Sequence, residues 1–376
     1  MIVIGNERLL DDKSAIVLNS SQSKTPCGND AWIMATSRAV ENLISSGYAL
    51  VTSLGLNTWE LTAHLAAEFA GRQIIVLPEV DNGRGQKIFE EIIEQFGLDG
   101  NRTAVVFPAE AKKSNKPKAN WEIRDRAAID ISDLLVPVSI RPGGKLEMLI
   151  GKASATKMIE SSYRVDHRKT DVSPPRYLKD EIGFEPADWD FLTHWTRTCH
   201  GPWPGQSNRS FYRNLVKSNS EYPNNAFSTL INLASENIIR ASSKKMRKGE
   251  YAVGFTESDP AKTIGNLRWL SKRTNWNFEP YGIAIRKQVA IELGLRPVIY
   301  GDSDDYLGLK ADDEPYFQSK GRKNVDWSEE KEWRHIGDID LSKIPGEDIR
   351  FLTWRKYEAD WILNMTGIET LALTGT

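Results

Sequence analysis

The sequence predicts two domains of different fold class: an open, doubly wound parallel α/β sheet, followed by a Trp-rich α+β domain. Three observations predict this division. The chain has 376 residues, which suits two domains at about 150 residues each. Short runs of Val, Ile and Leu recur at helix-length intervals in the first half. Nine of the twelve tryptophans lie beyond residue 185, which indicates that the two halves are different kinds of domain.

Five apolar segments of the first half are typical of strands buried on both faces of a parallel sheet, because they lack alternation. These segments are Ala15–Asn19, Tyr48–Ser53, Gln73–Pro78, Thr103–Pro108 and Leu134–Ile140. Amphipathic stretches predict helices at 30–46, 58–71, 85–97, 119–132 and 144–159. Five β-α repeats predict an open, Rossmann-like sheet. Right-handed crossovers then place the functional loops at the carboxyl ends of the strands.

Three of these loops are rich in small, polar residues. Ser20 and Ser21 follow the first strand, Ser53 and Gly55 the second, and Gly143-Gly144 the fifth. Glycine at a strand-to-helix turn lets backbone N–H groups approach a phosphate, which the helix dipole also favours. Each loop taken alone is equally typical of a tight turn. Together they predict a nucleotide or phosphoribosyl pocket.

The first half resembles the SLOG superfamily, which includes DprA/Smf DNA-processing proteins and LOG-type phosphoribohydrolases. The similar segments are Ser53–Asn57 with Ala63-His64, Trp121–Arg126, and the Pro142–Glu147 loop. The resemblance implies binding of a nucleotide or of nucleic-acid phosphate, rather than hydrolysis, because the second Gly-Thr pair of the LOG loop is missing. The candidate nucleotide- or phosphate-binding residues are Ser20, Ser21, Ser53, Gly55, Gly143 and Gly144 of the three loops, with Arg124 of the segment that resembles the family's Arg-rich helix.

A polar segment at 161–187, which contains Pro174-Pro175, predicts a linker between domains at 1–160 and 188–376. His167 lies in this segment among charged residues, and we expect it to be solvated. Lys+Arg number 49 and Asp+Glu 51, so no global field attracts nucleic acid or membrane. Two cysteines suit a reducing compartment. With no secretory signal or apolar run of about 18 residues, we expect a cytoplasmic protein and no membrane partner.

In the second half, Phe191–Arg197 reads as a short strand on which His194 and Thr196 share one face. Trp195, Arg197 and Cys199 lie in or beside the same strand. This concentration of His, Arg and Cys makes the segment a candidate catalytic site. The alternative for His194 is a structural histidine, and for Cys199 a small buried residue.

Further elements of the second half are a helix at Ala226–Arg240 and strands at Ala252–Ser258, Tyr281–Ile285 and Pro297–Tyr300. A basic run at 240–248 surrounds Ser242 and suits either phosphate binding or a solvated helix end. The acidic residues between Asp302 and Glu314 have poor spacing for a metal, and we expect them to be solvated.

The segments Pro280–Ile285, Arg296–Tyr300 and Glu330–Arg334 resemble AbiGi-type abortive-infection proteins of phage resistance. The order of His194, Thr196, Ser242, Phe255–Glu257 and Glu332 is also similar to that of ADP-ribosyltransferase folds. That similarity implies NAD as cofactor, bound by His194 and Arg197. It further implies Glu332 stabilising an oxocarbenium-like charge. The substrate-binding residues it implies are Thr196, Trp195, Ser242, Tyr281 and Arg334.

Three hypotheses of function follow. The first is a transferase that modifies DNA or a nucleotide in a DNA-modification or phage-defence system, with other proteins of the operon as partners. The second is a DNA-base modification enzyme in which Cys199 attacks a nitrile or amide of a modified base. The third is a non-catalytic protein whose SLOG-like half senses a nucleotide and whose Trp-rich half is a binding module; core packing by itself explains the nine tryptophans.

Overall fold

A computed structural model describes residues 1–78, 83–111, 118–168, 177, 181–183, 188–243, 246, 249–270, 275–320 and 327–374. Its internal contacts divide the chain into two units. The first comprises Met1–Val172 and His200–Pro223, and the second Ser173–Cys199 and Asn224–Thr376. The domain limits predicted at 160 and 187 stay a prediction. In the structure, residues 200–223 also belong to the first unit.

The first unit contains a mixed sheet of seven strands. In chain order the strands are β1 (Ile2–Gly5), β2 (Ser14–Asn19), β3 (Ala49–Ser53), β4 (Gln73–Val76), β5 (Thr103–Phe107), β6 (Leu134–Ser139) and β7 (Met158–Ile159). Their order across the sheet is β1-β5-β4-β3-β2-β6-β7. All neighbours pair in parallel except the edge strand β1, which is antiparallel to β5.

Helices cover both faces of this sheet, which confirms the predicted α/β class. They are α1 (Ala31–Ser45), α2 (Asn57–Glu68), α3 (Gly85–Phe96), α4 (Trp121–Ile131), α5 (Lys145–Ala153) and α6 (Asn208–Lys217). Side chains that alternate along one strand, such as Val17 and Ile16 of β2, enter separate apolar clusters. Strands between two helical layers must be apolar throughout, which is why they carry no alternation.

The fifth predicted helix is shorter than expected. We predicted 144–159, but α5 ends at Ala153 and the chain forms the short strand β7 beside β6. The sequence Ala153-Ser154-Ala155-Thr156 offers few apolar side chains to continue a buried helix face. β7 extends the sheet on the far side of β6.

The second unit is an α+β fold around a second sheet of seven strands. That sheet contains β8 (Phe191–Trp195), β10 (Ala252–Thr256), β13 (Gly282–Arg286), β14 (Arg296–Pro297), β17 (Glu332–Ile336), β19 (Ile349–Thr353) and β20 (Thr370–Ala372). The order is β14-β17-β10-β8-β13-β19-β20, and the pairs are antiparallel except β19 with β20.

Short strand pairs and helices complete the second unit. The pairs are β9 (Ile238–Ile239) with β18 (Ile339–Asp340), β11 (Trp269–Leu270) with β12 (Asn275–Trp276), and β15 (Ile299–Gly301) with β16 (Phe317–Ser319). The helices are α7 (Ala226–Glu236), α8 (Pro260–Gly265), α9 (Lys287–Glu292), α10 (Ser303–Leu307) and α11 (Lys356–Thr366).

Two predicted elements of the second unit are wrong in extent. The helix expected to reach Arg240 ends at Glu236, because Asn237 takes a left-handed conformation with φ of 53° and terminates it. The strand expected at Pro297–Tyr300 is divided, since Pro297 ends β14 and Ile299 begins β15 in another sheet. Within the described residues every helix is too short or too polar to cross a lipid bilayer.

Candidate functional site

The carboxyl edge of the first sheet is the candidate site, because the strand order reverses there. From β2 the chain proceeds outward through β3, β4 and β5, and then returns to place β6 on the other side of β2. In open α/β sheets such a reversal separates the loops that follow the two neighbouring strands and leaves a crevice for a ligand. Here those loops follow Asn19 and Ser139.

Hydrogen bonds join the two loops at this edge. The backbone N–H of Ser20 donates to the carbonyl of Ser139 at 2.8 Å, and the N–H of Arg141 donates to Oγ of Ser20 at 2.9 Å. Asn19 is buried, and its side chain accepts from the N–H of Ser139 at 3.2 Å. The Ser20 hydroxyl predicted to bind a ligand thus also positions the second loop. Exposed Ser21 follows it directly.

A cluster of three polar side chains lies at the same edge. Nε2 of Gln22 is 2.9 Å from Oγ of Ser139 and 3.2 Å from Nδ1 of His167, and the Ser139 oxygen is 3.3 Å from that nitrogen. Gln22 and Ser139 are buried, while His167 is half-buried. Because an amide N–H₂ group only donates, Nδ1 of His167 is the acceptor in its contact with Gln22. The prediction of a solvated His167 is therefore wrong.

The two glycine turns have positive φ angles, +93° at Gly55 and +68° at Gly143. Their N–H groups, however, are already bonded to carboxylates. Gly55 donates to Glu60 at 2.9 Å and Gly143 donates to Glu147 at 2.7 Å. A phosphate at either amide would have to displace a carboxylate of the following helix. Phosphate binding by these amides, and by neighbouring Gly144, stays a prediction.

Arg124 is buried and organises the loop after β3. Its Nε and Nη2 donate to Oδ1 of Asp125 at 2.9 and 2.7 Å, and its Nη1 donates to the carbonyl of Leu54 at 3.2 Å. The guanidinium also lies between the rings of Trp59 and Trp121. Burial raises the pKa of Asp125, and the Arg124 charge opposes that shift. Ser53 is also fully buried. The two predicted binding residues Arg124 and Ser53 therefore lie beneath the surface of this loop.

A half-buried acid connects α2 to α6. The carboxylate of Glu60, which accepts from Gly55, also accepts from the hydroxyl of Tyr212 at 2.7 Å. Burial raises the pKa of Glu60, and both hydrogen bonds lower it in part. His64, one turn further along α2, stacks on Tyr212 with ring centroids 6.0 Å apart. The helix that returns from the second unit thus contacts the carboxylate that holds the β3–α2 turn.

In the second unit, His194 and Thr196 of the predicted β8 site form hydrogen bonds to the protein backbone. Nδ1 of His194 is 2.8 Å from the carbonyl of Gly254, and burial lowers the His194 pKa, as does the charge of Arg197. The buried hydroxyl of Thr196 donates to the carbonyls of Ala226 and Tyr281, both at 3.0 Å. Thr196 is therefore bonded to the backbone rather than presented beside His194.

Other residues predicted around β8 differ in exposure. Arg197 is exposed and Cys199 is half-buried, with its N–H donating to the carbonyl of Asn224 at 2.9 Å. Trp195 packs on Phe278 with ring centroids 5.6 Å apart. Cys199 as a nucleophile stays a prediction.

Glu332 and Arg334 form an ion pair in the second sheet. Nε and Nη2 of Arg334 donate to the two carboxylate oxygens of Glu332 at 2.8 and 3.2 Å. Gly254 pairs with Arg334, and a β-carbon built on Gly254 would be 3.4 Å from Oε1 of Glu332. His194 and Glu332 therefore both approach Gly254 of β10. The Glu332 carboxylate, however, is already paired with the Arg334 guanidinium.

The remaining predicted residues are a structural tyrosine and a serine. Tyr281 is buried, and its hydroxyl donates to Glu358 at 3.0 Å, while burial holds the pKa of the Tyr281 phenol far above its usual range. Exposed Ser242 forms a bridge with Ala252. Of the predicted basic run, 244, 245, 247 and 248 lie outside the described residues.

Sequence reasoning missed Gln22, Ser139 and His167. The first two had a usable signal, since Ser139 is the last residue of an apolar strand and Gln22 lies in the polar loop three residues after another. His167 had none, because only the tertiary fold brings a residue of the trailing segment to the ends of β2 and β6.

Comparison with known proteins finds no matching protein family and no matching curated protein. Among solved structures, DNA processing protein A from Streptococcus pneumoniae is 17% identical over 42% of this chain and 52% of its own, with a TM-score of 0.31. This chain thus spans about half of that protein. DNA processing protein A from Helicobacter pylori, described by its single-stranded DNA binding mode, is 16% identical over 44% and 74%, with a TM-score of 0.31. The Moco carrier protein of Chlamydomonas is 20% identical over 39% and 74%, with a TM-score of 0.24.

Proposed function

We propose that the first unit binds a nucleotide, either free or as part of single-stranded DNA, at the carboxyl ends of β2 and β6. One observation carries the proposal. The strand order reverses between these two strands, and the Gln22–Ser139–His167 cluster lies at that reversal. Crevices at such reversals are the usual ligand sites of open α/β sheets.

The chemistry of the edge supports a nucleotide over an apolar ligand. Its side chains offer an amide, hydroxyls and an imidazole, which suit ribose hydroxyls and base edges. Exposed Arg141 lies two residues after the end of β6 and supplies a cation for phosphate. Because carboxylates hold the amides of Gly55 and Gly143, we place the phosphate near Arg141 and the sugar or base near His167.

The proposal assigns no reaction to the second unit. Glu332 would have to release Arg334 before it could stabilise positive charge on a sugar, since both of its oxygens accept from that guanidinium. Transfer from NAD, attack by Cys199, and a place in phage defence or DNA modification stay predictions from the sequence. A nucleotide-binding first unit is compatible with each of them.

Equilibrium binding to matched variants tests the proposal. Ser139→Ala removes the hydroxyl at the carboxyl end of β6, whereas Ser132→Ala removes a buried hydroxyl that donates to Ala128 just before β6 begins. We expect the first change to weaken binding of AMP or of a short single-stranded oligonucleotide about tenfold, and the second to leave it unchanged. Equal affinities for both variants would contradict the proposed site.

A further inference from the structure

The second unit contains a small polar cavity that lies apart from the nucleotide site proposed for the first unit. It has a volume of about 140 Å³, and its lining includes Met246, Glu314, Gln318, Ser319 and Arg334. An engineered cavity of about 150 Å³ holds one benzene molecule. The volume therefore suits a single six-membered ring, and the polar lining suits a heterocycle.

Arg334 fixes the direction of the Gln318 amide. The guanidinium is buried, and its Nη2 donates to Oε1 of Gln318 at 2.9 Å. Its other donors meet Glu332 and the carbonyls of Pro315 and Phe317. Since the amide oxygen accepts from Arg334, the Nε2 end of Gln318 is the end left to donate.

Glu314 provides the complementary acceptor. Its Oε2 accepts from the hydroxyl of Tyr306 at 3.1 Å, and the Tyr306 ring packs on Phe317 with centroids 5.2 Å apart. The carboxylate is thus held in place beside a packed aromatic pair. Met246 adds a thioether, which makes favourable contacts with aromatic rings. The cavity thereby combines one fixed amide donor, one carboxylate acceptor and a soft apolar wall.

We propose that this cavity binds a pyrimidine base, from a free nucleoside or from an unpaired position in a nucleic acid strand. Cytosine and uracil each present an N–H donor beside an acceptor on one ring edge, and a carboxylate is a known partner of the cytosine amino group. A single pyrimidine ring matches this volume, whereas a purine adds a second ring. The site is in the second unit and does not depend on the nucleotide site proposed for the first.

The test is titration of the full chain with cytidine and uridine, followed by calorimetry or saturation-transfer NMR. Gln318→Glu keeps an oxygen for Arg334 but removes the amide donor, and Glu314→Gln removes the carboxylate. Glu329→Gln makes the same chemical change at an exposed residue outside the cavity. We expect either cavity variant to weaken pyrimidine binding about tenfold or more, with no effect of Glu329→Gln.

Modified and larger ligands complete the test. We expect 3-methyluridine and N4,N4-dimethylcytidine, which lack the N–H donor, to bind as weakly as adenosine. A short cytidine oligonucleotide that binds more tightly than cytidine would identify a strand as the source, and equal affinity a free nucleoside; both support the cavity. Absence of pyrimidine binding, or binding unaffected by both cavity variants, would overturn it. Ser139→Ala keeps this failure distinct from failure of the first site, because it alters only the first unit.

Discussion

Arg334 is a buried cation whose Nε, Nη1 and Nη2 all donate to acceptors of the second unit. Only 7% of its side chain is exposed, against 25% for its partner Glu332. A buried charge is stable only while its partners remain in place. At the scale of the residue, Glu332 therefore acts as a structural counter-ion in this arrangement.

Glu332→Gln should reduce the free energy of unfolding, whether or not the residue has a catalytic role. The amide keeps one acceptor for Arg334 but loses the negative charge, and the variant should lose about 2 kcal/mol of unfolding free energy. Urea denaturation of this variant beside Glu329→Gln gives the comparison. If both variants unfold at the same urea concentration, the structural role of Glu332 is wrong.

His64 should make the stability of the first unit depend on pH. Burial lowers its pKa from 6.5 to about 4; the charge of Glu68 opposes this, while Arg213 and Arg209 add to it. Between these values the unfolded chain binds a proton that the folded chain does not. Stability is therefore lost as pH falls from 6.5 towards 4, by about 3 kcal/mol in total. Half-buried Glu60, whose pKa is raised, contributes with the opposite sign.

The variant His64→Phe isolates this contribution, because Glu60 is present in both proteins. Nδ1 of His64 has no hydrogen-bond partner among the described residues, so the change sacrifices no bond at that atom. We expect the variant to lose less stability than the wild type between pH 6.5 and 4 in urea titrations. His335→Phe, at a half-buried position of the second unit, should keep the wild-type dependence. Identical pH dependence in wild type and His64→Phe would refute the assignment.

At the scale of elements, α6 is positioned by a close backbone approach. The N–H of Gly28 donates to Oγ of Ser218 at 2.9 Å. A β-carbon at Gly28 would lie 2.3 Å from the carbonyl oxygen of Ser218 and 2.5 Å from that of Val216. The loop after β2 therefore contacts the end of α6 at a point where only glycine fits.

Two glycine substitutions should differ in cost for this reason. Gly28→Ala forces backbone apart and should cost more than about 2 kcal/mol. Gly143→Ala meets no atom within 4 Å of the new β-carbon, and should cost about 1 kcal/mol through its positive φ alone. Thermal or urea unfolding of the two variants measures the difference. A larger loss at Gly143 would show that the α6 contact is loose.

The sequence predicts well those elements that local residue patterns determine, and it predicts poorly those that depend on distant parts of the chain. The buried strands of the first sheet are predicted within two residues at each end, because short uninterrupted apolar runs bounded by turn residues are typical of buried strands. Edge strand β1 and helix α6 are missed, since each is defined by a distant partner: β5 for one, α2 for the other. The candidate site divides in the same way. Loop residues such as Ser20 follow from strand ends, whereas His167 depends on the path of the chain after β7.

At the scale of the whole molecule, the chain leaves the first unit and later returns to complete it. Phe211, Tyr212, Leu215 and Tyr222 belong to the same apolar cluster as the helices α1–α3. The Tyr212 ring stacks near Phe96 with centroids 6.3 Å apart. The first unit is thus built from two separate stretches of sequence.

A fragment of residues 1–172 should therefore be incomplete. Without 200–223 it exposes apolar surface of α2 and α3, and we expect it to bind a hydrophobic dye and to unfold without a sharp transition. Adding a peptide of residues 200–223 should reduce dye binding and restore a cooperative transition. A Tyr212→Phe peptide, which cannot donate to Glu60, should restore it less completely. A fragment that unfolds cooperatively alone would show that the return segment is dispensable.

Hydrogen exchange of the full chain, with and without saturating AMP, tests the central claim most directly. We predict slower exchange of backbone amides at 19–25, 139–145 and 163–168, where the loops after β2 and β6 and the His167 segment lie. Amides at the opposite ends of the same strands should exchange unchanged. Unaltered exchange at all three segments, under conditions where AMP is bound, would contradict nucleotide binding at the strand reversal.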